Sequence, residues 1–135
     1  MLELHSSDRQ ELDAAGKAIL KGGGAKADDQ LAPNVLFDDI IEDLSDQHAI
    51  ILNRSRSASM LVPGESLLLS EVTPALFACV AANEAERVAP DAVLNDVQMM
   101  GVSGRIFMSG TVAGLEIART AINTALASVQ GRPND

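Results

Sequence analysis

Tryptophan and tyrosine are absent from these 135 residues, and the only aromatics are Phe37, Phe77 and Phe107. Such a chain has no stacking platform for single-stranded nucleic acid. Positive charge is scarce too, with 10 Lys and Arg against 19 Asp and Glu and a net charge of −9. Phosphate-backbone binding needs clustered basic residues, so nucleic acid is not expected as a partner. One cysteine, Cys79, rules out an intrachain disulfide and a cysteine-rich metal site. A reducing cytoplasm fits this usage. No apolar run approaches the roughly 20 residues of a membrane span. The first twenty residues are polar and charged, so no signal peptide is expected.

What is present is a core material of Ala, Val, Ile and Leu, in a chain that is 47% hydrophobic. The length suits one domain with a real core. Met1–His5 reads as a strand end. Asp8 with Glu11 resembles a capping box, and Leu12, Ala15, Ile19 and Leu20 follow at helical spacing. Gly22-Gly23-Gly24 should end that helix. The glycines lack P-loop spacing and a feeding strand, so they read as a flexible connector, not a phosphate cradle. Val35–Leu44 is ambiguous between helix and strand. Its acids Asp38, Asp39, Glu42 and Asp43 lack the alternation and glycine turn of a calcium loop, and read as a solvated face.

Ala49–Asn53 reads as a short strand, followed by the polar turn Arg54–Ser59. Arg54 and Arg56 are candidate anion contacts in that turn, against the plainer reading of a solvated loop. Pro63-Gly64 is a turn and Leu67–Val72 a covered strand. Thr73-Pro74 should open a helix, with Thr as N-cap and Pro at the first helical position. Phe77, Val80, Ala81, Ala85 and Val88 are its expected buried stripe, and Cys79 should behave as a small buried hydrophobe beside it. After Ala89-Pro90-Asp91 come two strands, Val93–Met99 and Arg105–Ser109, around a small-residue turn. A last helix starts near Thr111, buries Leu115, Ala118, Ile122, Ala125, Leu126 and Val129, and should end at Gly131 before a frayed tail. The expected fold is α/β (α+β), an antiparallel or mixed sheet flanked by helices.

Catalytic constellations are missing. His5 and His48 are the only histidines, and Gly101-Val102-Ser103-Gly104 lacks the spacing of a nucleophile elbow. No cofactor motif and no metal site are read. The residues do carry a resemblance. His48–Leu61, Leu67–Ala75, the Ala81–Arg87 run, and the hairpin with Gly104–Gly110 resemble, in order, the circularly permuted branch of bacterial microcompartment shell proteins. The opening Leu4–Ala14 also resembles the start of one half of the tandem permuted shell proteins of carboxysomes. The match covers nearly the whole chain.

That resemblance implies a permuted shell domain at residues 35–131, preceded by a helix and Gly-rich connector at 1–34 that belong to it, with a tail at 132–135. Val35–Leu44 becomes a strand. Six domains are expected to form a flat hexagonal tile, a homohexamer here, with a central pore for small metabolites. Tiles pack with other shell proteins in the cytoplasm, and some permuted relatives stack two tiles face to face. Met99, Met100, Gly101, Val102 and Ser103 match the pore-lining loop, which on residues alone is an ordinary glycine hairpin. The charged gating pair of some relatives is replaced by Met100 and Gly101, so a neutral rim is expected. Arg87 matches a lysine at the tile edge, or is simply an exposed arginine of the polar helix face. The implied role is structural and non-catalytic. The alternatives are an anion-binding or regulatory α/β module and a minor enzyme subunit.

Overall fold

A computed structural model describes residues 2–54 and 59–133. Four strands carry the fold: β1 (Asn34–Ile41), β2 (Ser66–Thr73), β3 (Ala92–Met100) and β4 (Ser103–Gly110). They form one antiparallel sheet in the order β1-β2-β4-β3. The central strands β2 and β4 are mostly buried along their length, as their dense apolar residues require. The edge strands β1 and β3 each carry an irregularity, at Val35/Phe37 and Leu94/Asp96, which swings side chains from one face to the other.

Two helices cover one face, α3 (Phe77–Val88) and α4 (Val112–Ala127). Ala78, Ala81, Ala82 and Ala85 bury against Leu68, Val72, Ile106 and Met108 of the sheet. These small side chains let α3 lie close to β4, and at Gly104 a Cβ would stand 2.4 Å from the Ala75 carbonyl oxygen. α4 adds Leu115, Ala118, Ile122 and Leu126 to the same core. Thr111 caps it, accepting a bond from the Gly114 N–H. The opposite face is partly covered by a second, smaller cluster, in which Leu44, Ala49 and Leu61 pack on Leu67 and Phe107.

Several local expectations are corrected. The segment 49–53 is not a strand but part of the helix α2 (Asp46–Asn53). Ser45 accepts a bond from the His48 N–H and starts that helix, burying Ala49. Thr73 does not cap α3, because it still pairs with Asn34 in the sheet. The Thr73–Pro74 peptide is cis, and α3 begins at Phe77. Of the expected buried stripe of α3, Ala81 and Ala85 are buried and Phe77 packs on the core, but Val80 and Val88 are not part of it. Alanines face the sheet, while Val80, Val88 and Cys79 are exposed.

The acidic run is not wholly solvated. Asp38 points at α4 and binds Arg119 Nε at 3.1 Å and Asn123 Nδ2 at 2.8 Å. That carboxylate holds the Arg119 guanidinium more firmly protonated. Gly131 does not end α4, whose C-cap is Ser128. It is instead where the chain passes so close to Ala32 that a Cβ would lie 2.4 Å from its nitrogen. Arg132 is not frayed either, since it exchanges backbone bonds with Gln30 and Ala32. Asn134 and Asp135 lie outside the described residues.

The first helix, α1 (Arg9–Gly22), starts at Asp8, which accepts a bond from the Gln10 N–H. In place of the expected reciprocal bond, Glu11 Oε2 accepts from the Ser6 hydroxyl at 2.8 Å, and the Ser6 oxygen in turn accepts from the Asp8 N–H. Gly24, at φ +68, closes the helix end as the glycine run suggested. No residue of α1 is buried.

Candidate functional site

The β3–β4 hairpin stands at the end of the sheet. Met100 pairs with Ser103, leaving Gly101 and Val102 as a two-residue loop. Gly101 has φ +65, which suits the first central position of the hairpin turns that match strand twist. Val102 is 80% exposed and Met100 is half-exposed. The loop is tethered from behind, where the Thr73 hydroxyl donates to the Val102 carbonyl at 3.1 Å. Met99, Gly101 and Val102 share a recess of about 550 Å³ with Leu31 and Thr73–Leu76. Ser103 is different: it is buried, and its hydroxyl donates to Glu71 Oε1 at 2.7 Å.

Sequence reasoning missed what lies beneath the turn. Glu71 on β2 stands opposite Arg105 on β4, and Arg105 stands opposite Gln98 on β3. Arg105 Nε donates to Glu71 Oε2 at 2.8 Å, with side chains 38% and 22% exposed. The neutral turn is therefore backed by one charged pair on the sheet face away from α3 and α4. The alternation Ser103, Arg105 put both on one face, but nothing local to β4 announces the partner on β2.

The Ser103 hydroxyl first, and then Arg105, hold the Glu71 carboxyl below its ordinary value of 4.5. A carboxyl with a depressed folded pKa adds stability above its unfolded pKa and loses it as pH falls through the folded value. Glu71→Gln is thus expected to flatten the acid limb of the stability curve below about pH 4.5. Urea midpoints between about pH 3 and pH 7 measure this, and an unchanged acid limb would contradict it.

The other candidate residues stand apart from the turn. Arg87 lies in the last turn of α3, exposed, with its guanidinium on Glu84 at 3.1 Å. Arg54 is the C-cap residue of α2, and its N–H donates to the Ile51 carbonyl. Arg56 lies outside the described residues. No group of three or more His, Cys, Asp or Glu fit to hold a metal occurs among the described residues. No helix among them is long and apolar enough to cross a membrane.

Comparison with known proteins then finds relatives. No family model matches the chain. It is 36% identical over 132 residues to the carboxysome shell protein CcmP of Synechococcus elongatus, covering 98% of this chain and 62% of that protein. It is 34% identical to the carboxysome shell protein CsoS1D of Hydrogenovibrio crunogenus, covering 91% of this chain and 60% of that protein. Among solved structures, the double-ringed trimeric shell protein of the RMM microcompartment superposes with TM-score 0.92 at 55% identity, over 96% of this chain and 64% of that one. The fused permuted hexameric shell protein of the same microcompartment gives TM-score 0.85 at 40% identity, over 93% and 61%. The chain thus spans about three-fifths of the length of these relatives. Along nearly all of its own length this chain is thus homologous to bacterial microcompartment shell proteins and shares their fold.

Proposed function

We propose that the chain is a structural, non-catalytic element of a microcompartment shell in the cytoplasm. Six copies of the domain close into a ring, a homohexamer for the 135-residue unit, and the Met99–Ser103 hairpin borders its central opening. The observation that carries this is the homology to shell proteins over 98% of the chain. The geometry of the hairpin supports the pore. It is an exposed, glycine-shaped turn at one end of a rigid sheet, tethered by Thr73. Repeated about an axis, such a turn presents backbone groups and Met100, Gly101 and Val102 to whatever passes, and width and hydrogen-bonding groups then set selectivity.

The rim so formed is neutral, and the Glu71–Arg105 pair behind it supplies charge without a charged gate in the turn itself. Arg87, at the end of α3, is free in direction to meet a neighbouring tile, with Glu84 as its partner before contact. Residues 34–133 then form the shell domain proper, while α1 stands outside its core. Native mass spectrometry tests the ring. A mass of six or twelve times the 14.1 kDa chain is expected, the larger value for two stacked rings. A monomer at micromolar concentration would overturn the shell reading.

A further inference from the structure

We propose that the β3–β4 hairpin is latched into one conformation, with Thr73 and Glu71 as its positioning residues, so that the opening it borders keeps a fixed width. The fixed width rests on the reading that Met99–Ser103 borders the opening, whereas the latch stands without it. A turn moves when it has slack, when its base can tilt, or when its tip is unheld. Slack is absent, because Met100 and Ser103 still pair and only Gly101 and Val102 lie outside the ladder. Two-residue turns of this kind follow the twist of their strands and have few other ways to close.

The base is seated at Gly104, directly behind the turn. A Cβ there would stand 2.4 Å from the Ala75 carbonyl oxygen and 2.7 Å from the Ala78 Cβ, so β4 already lies against the entry of α3. Close-packed backbone of this kind leaves no room to tilt toward the helix. The other holds come from β2, which carries both Glu71 and Thr73. The Thr73 hydroxyl donates to the Val102 carbonyl at 3.1 Å, at the tip. The Ser103 hydroxyl donates to Glu71 Oε1 at 2.7 Å and Arg105 Nε donates to Glu71 Oε2 at 2.8 Å. Both carboxylate oxygens are therefore engaged by the two residues that flank Gly104. Ser103 first, and then Arg105, hold that carboxyl ionised below its ordinary value of 4.5, so neutral pH does not release it.

The holds have something to oppose. Met99, Gly101 and Val102 border the recess of about 550 Å³ whose other side is Leu31 and Thr73–Leu76. An untethered turn has this space to fold into. Each net hydrogen bond shifts such an opening equilibrium by roughly tenfold, so the two holds make a released turn rarer by about 100-fold.

Methyl relaxation dispersion on the assembled protein, with labelled methionine and valine methyls, tests this. The parent is expected to give one resonance and a flat profile at the Met100 and Val102 methyls. Thr73→Val keeps the branched shape and removes the hydroxyl. It should raise the released population about tenfold and bring microsecond-to-millisecond exchange to both methyls. Thr73→Ser keeps the hydroxyl and should restore the parent profile. Ser103→Ala removes the hold on Glu71 and should act as Thr73→Val does. Met108, fully buried in the core, should stay flat throughout, which separates release of the turn from a general loosening. Exchange at Met100 or Val102 in the parent overturns the proposal. So does a flat profile in both Thr73→Val and Ser103→Ala. A hairpin that holds one conformation away from the opening overturns the fixed width together with the pore reading, but not the latch.

Discussion

Gly104→Val is expected to cost the domain most of its stability. Gly104 sits on β4 facing the start of α3, and even a bare Cβ there would come within 2.4 Å of the Ala75 carbonyl oxygen and 2.7 Å of the Ala78 Cβ. Neither neighbour is the far end of a flexible side chain. The first is backbone at the α3 entry, and the second is a fully buried methyl. The only relief is to lift α3 from the sheet, which breaks the contact of Ala78, Ala81 and Ala85 with Ile106 and Met108. Overpacking of a tight core costs about 1–3 kcal/mol, and separating a helix from its sheet costs more. A loss of about 3 kcal/mol or more is a large share of a typical domain's 5–15 kcal/mol. The urea midpoint followed by far-ultraviolet circular dichroism reads it. A midpoint like that of the parent chain would mean that α3 is not seated on Gly104.

The second large effect is on passage rather than stability. Val102→Trp places a bulky ring on the exposed tip of the hairpin while sparing the backbone. Gly101 is the worse position for this substitution, because its φ of +65 would strain any side chain by about 1–2 kcal/mol. Val102 has no such constraint and projects into solvent. Melting and native mass should therefore match the parent chain. Metabolite flux through assembled shells should fall by about tenfold or more, because six indole rings would crowd one opening. Unchanged flux with intact assembly would mean that this turn does not border the passage.

How much of this was legible in the sequence depends on whether the cause was local. The β3–β4 hairpin was readable because apolar alternation and the Gly101 turn sit within one short stretch. α4 was readable because Thr111 and the Leu115–Leu126 spacing are likewise contiguous. α2 was misread because its Ala49–Asn53 run is rich in isoleucine, which favours strands. The overriding signal was Ser45, a cap lying just outside that run.

In α3 the larger valines outranked the alanines on any hydrophobicity scale. Close approach of helix to sheet selects the smallest side chains instead, so Val80 and Val88 were turned outward. The remaining misses are contacts between distant parts of the chain. Asp38 meets Arg119 and Asn123 on α4, and Glu71 meets Ser103 and Arg105 across two central strands. Strand order and register create both, and neither follows from spacing along the chain.

For the candidate site the same division holds. The rim residues were legible as a turn, but Ser103 was grouped with them although its hydroxyl is committed to Glu71. The exposed part of the proposed rim therefore reduces to Met100, Gly101 and Val102, above a charged pair that no motif revealed.

The central claim is that this domain closes into a ring with the hairpin at its centre. An electron-microscopy reconstruction of the assembled particle tests it most directly. The account predicts six domain units about one axis, with residues 99–103 bordering the opening and Arg87 toward the outer edge. A closed ring whose opening is bordered by other residues, or an assembly with no closed ring, would contradict it.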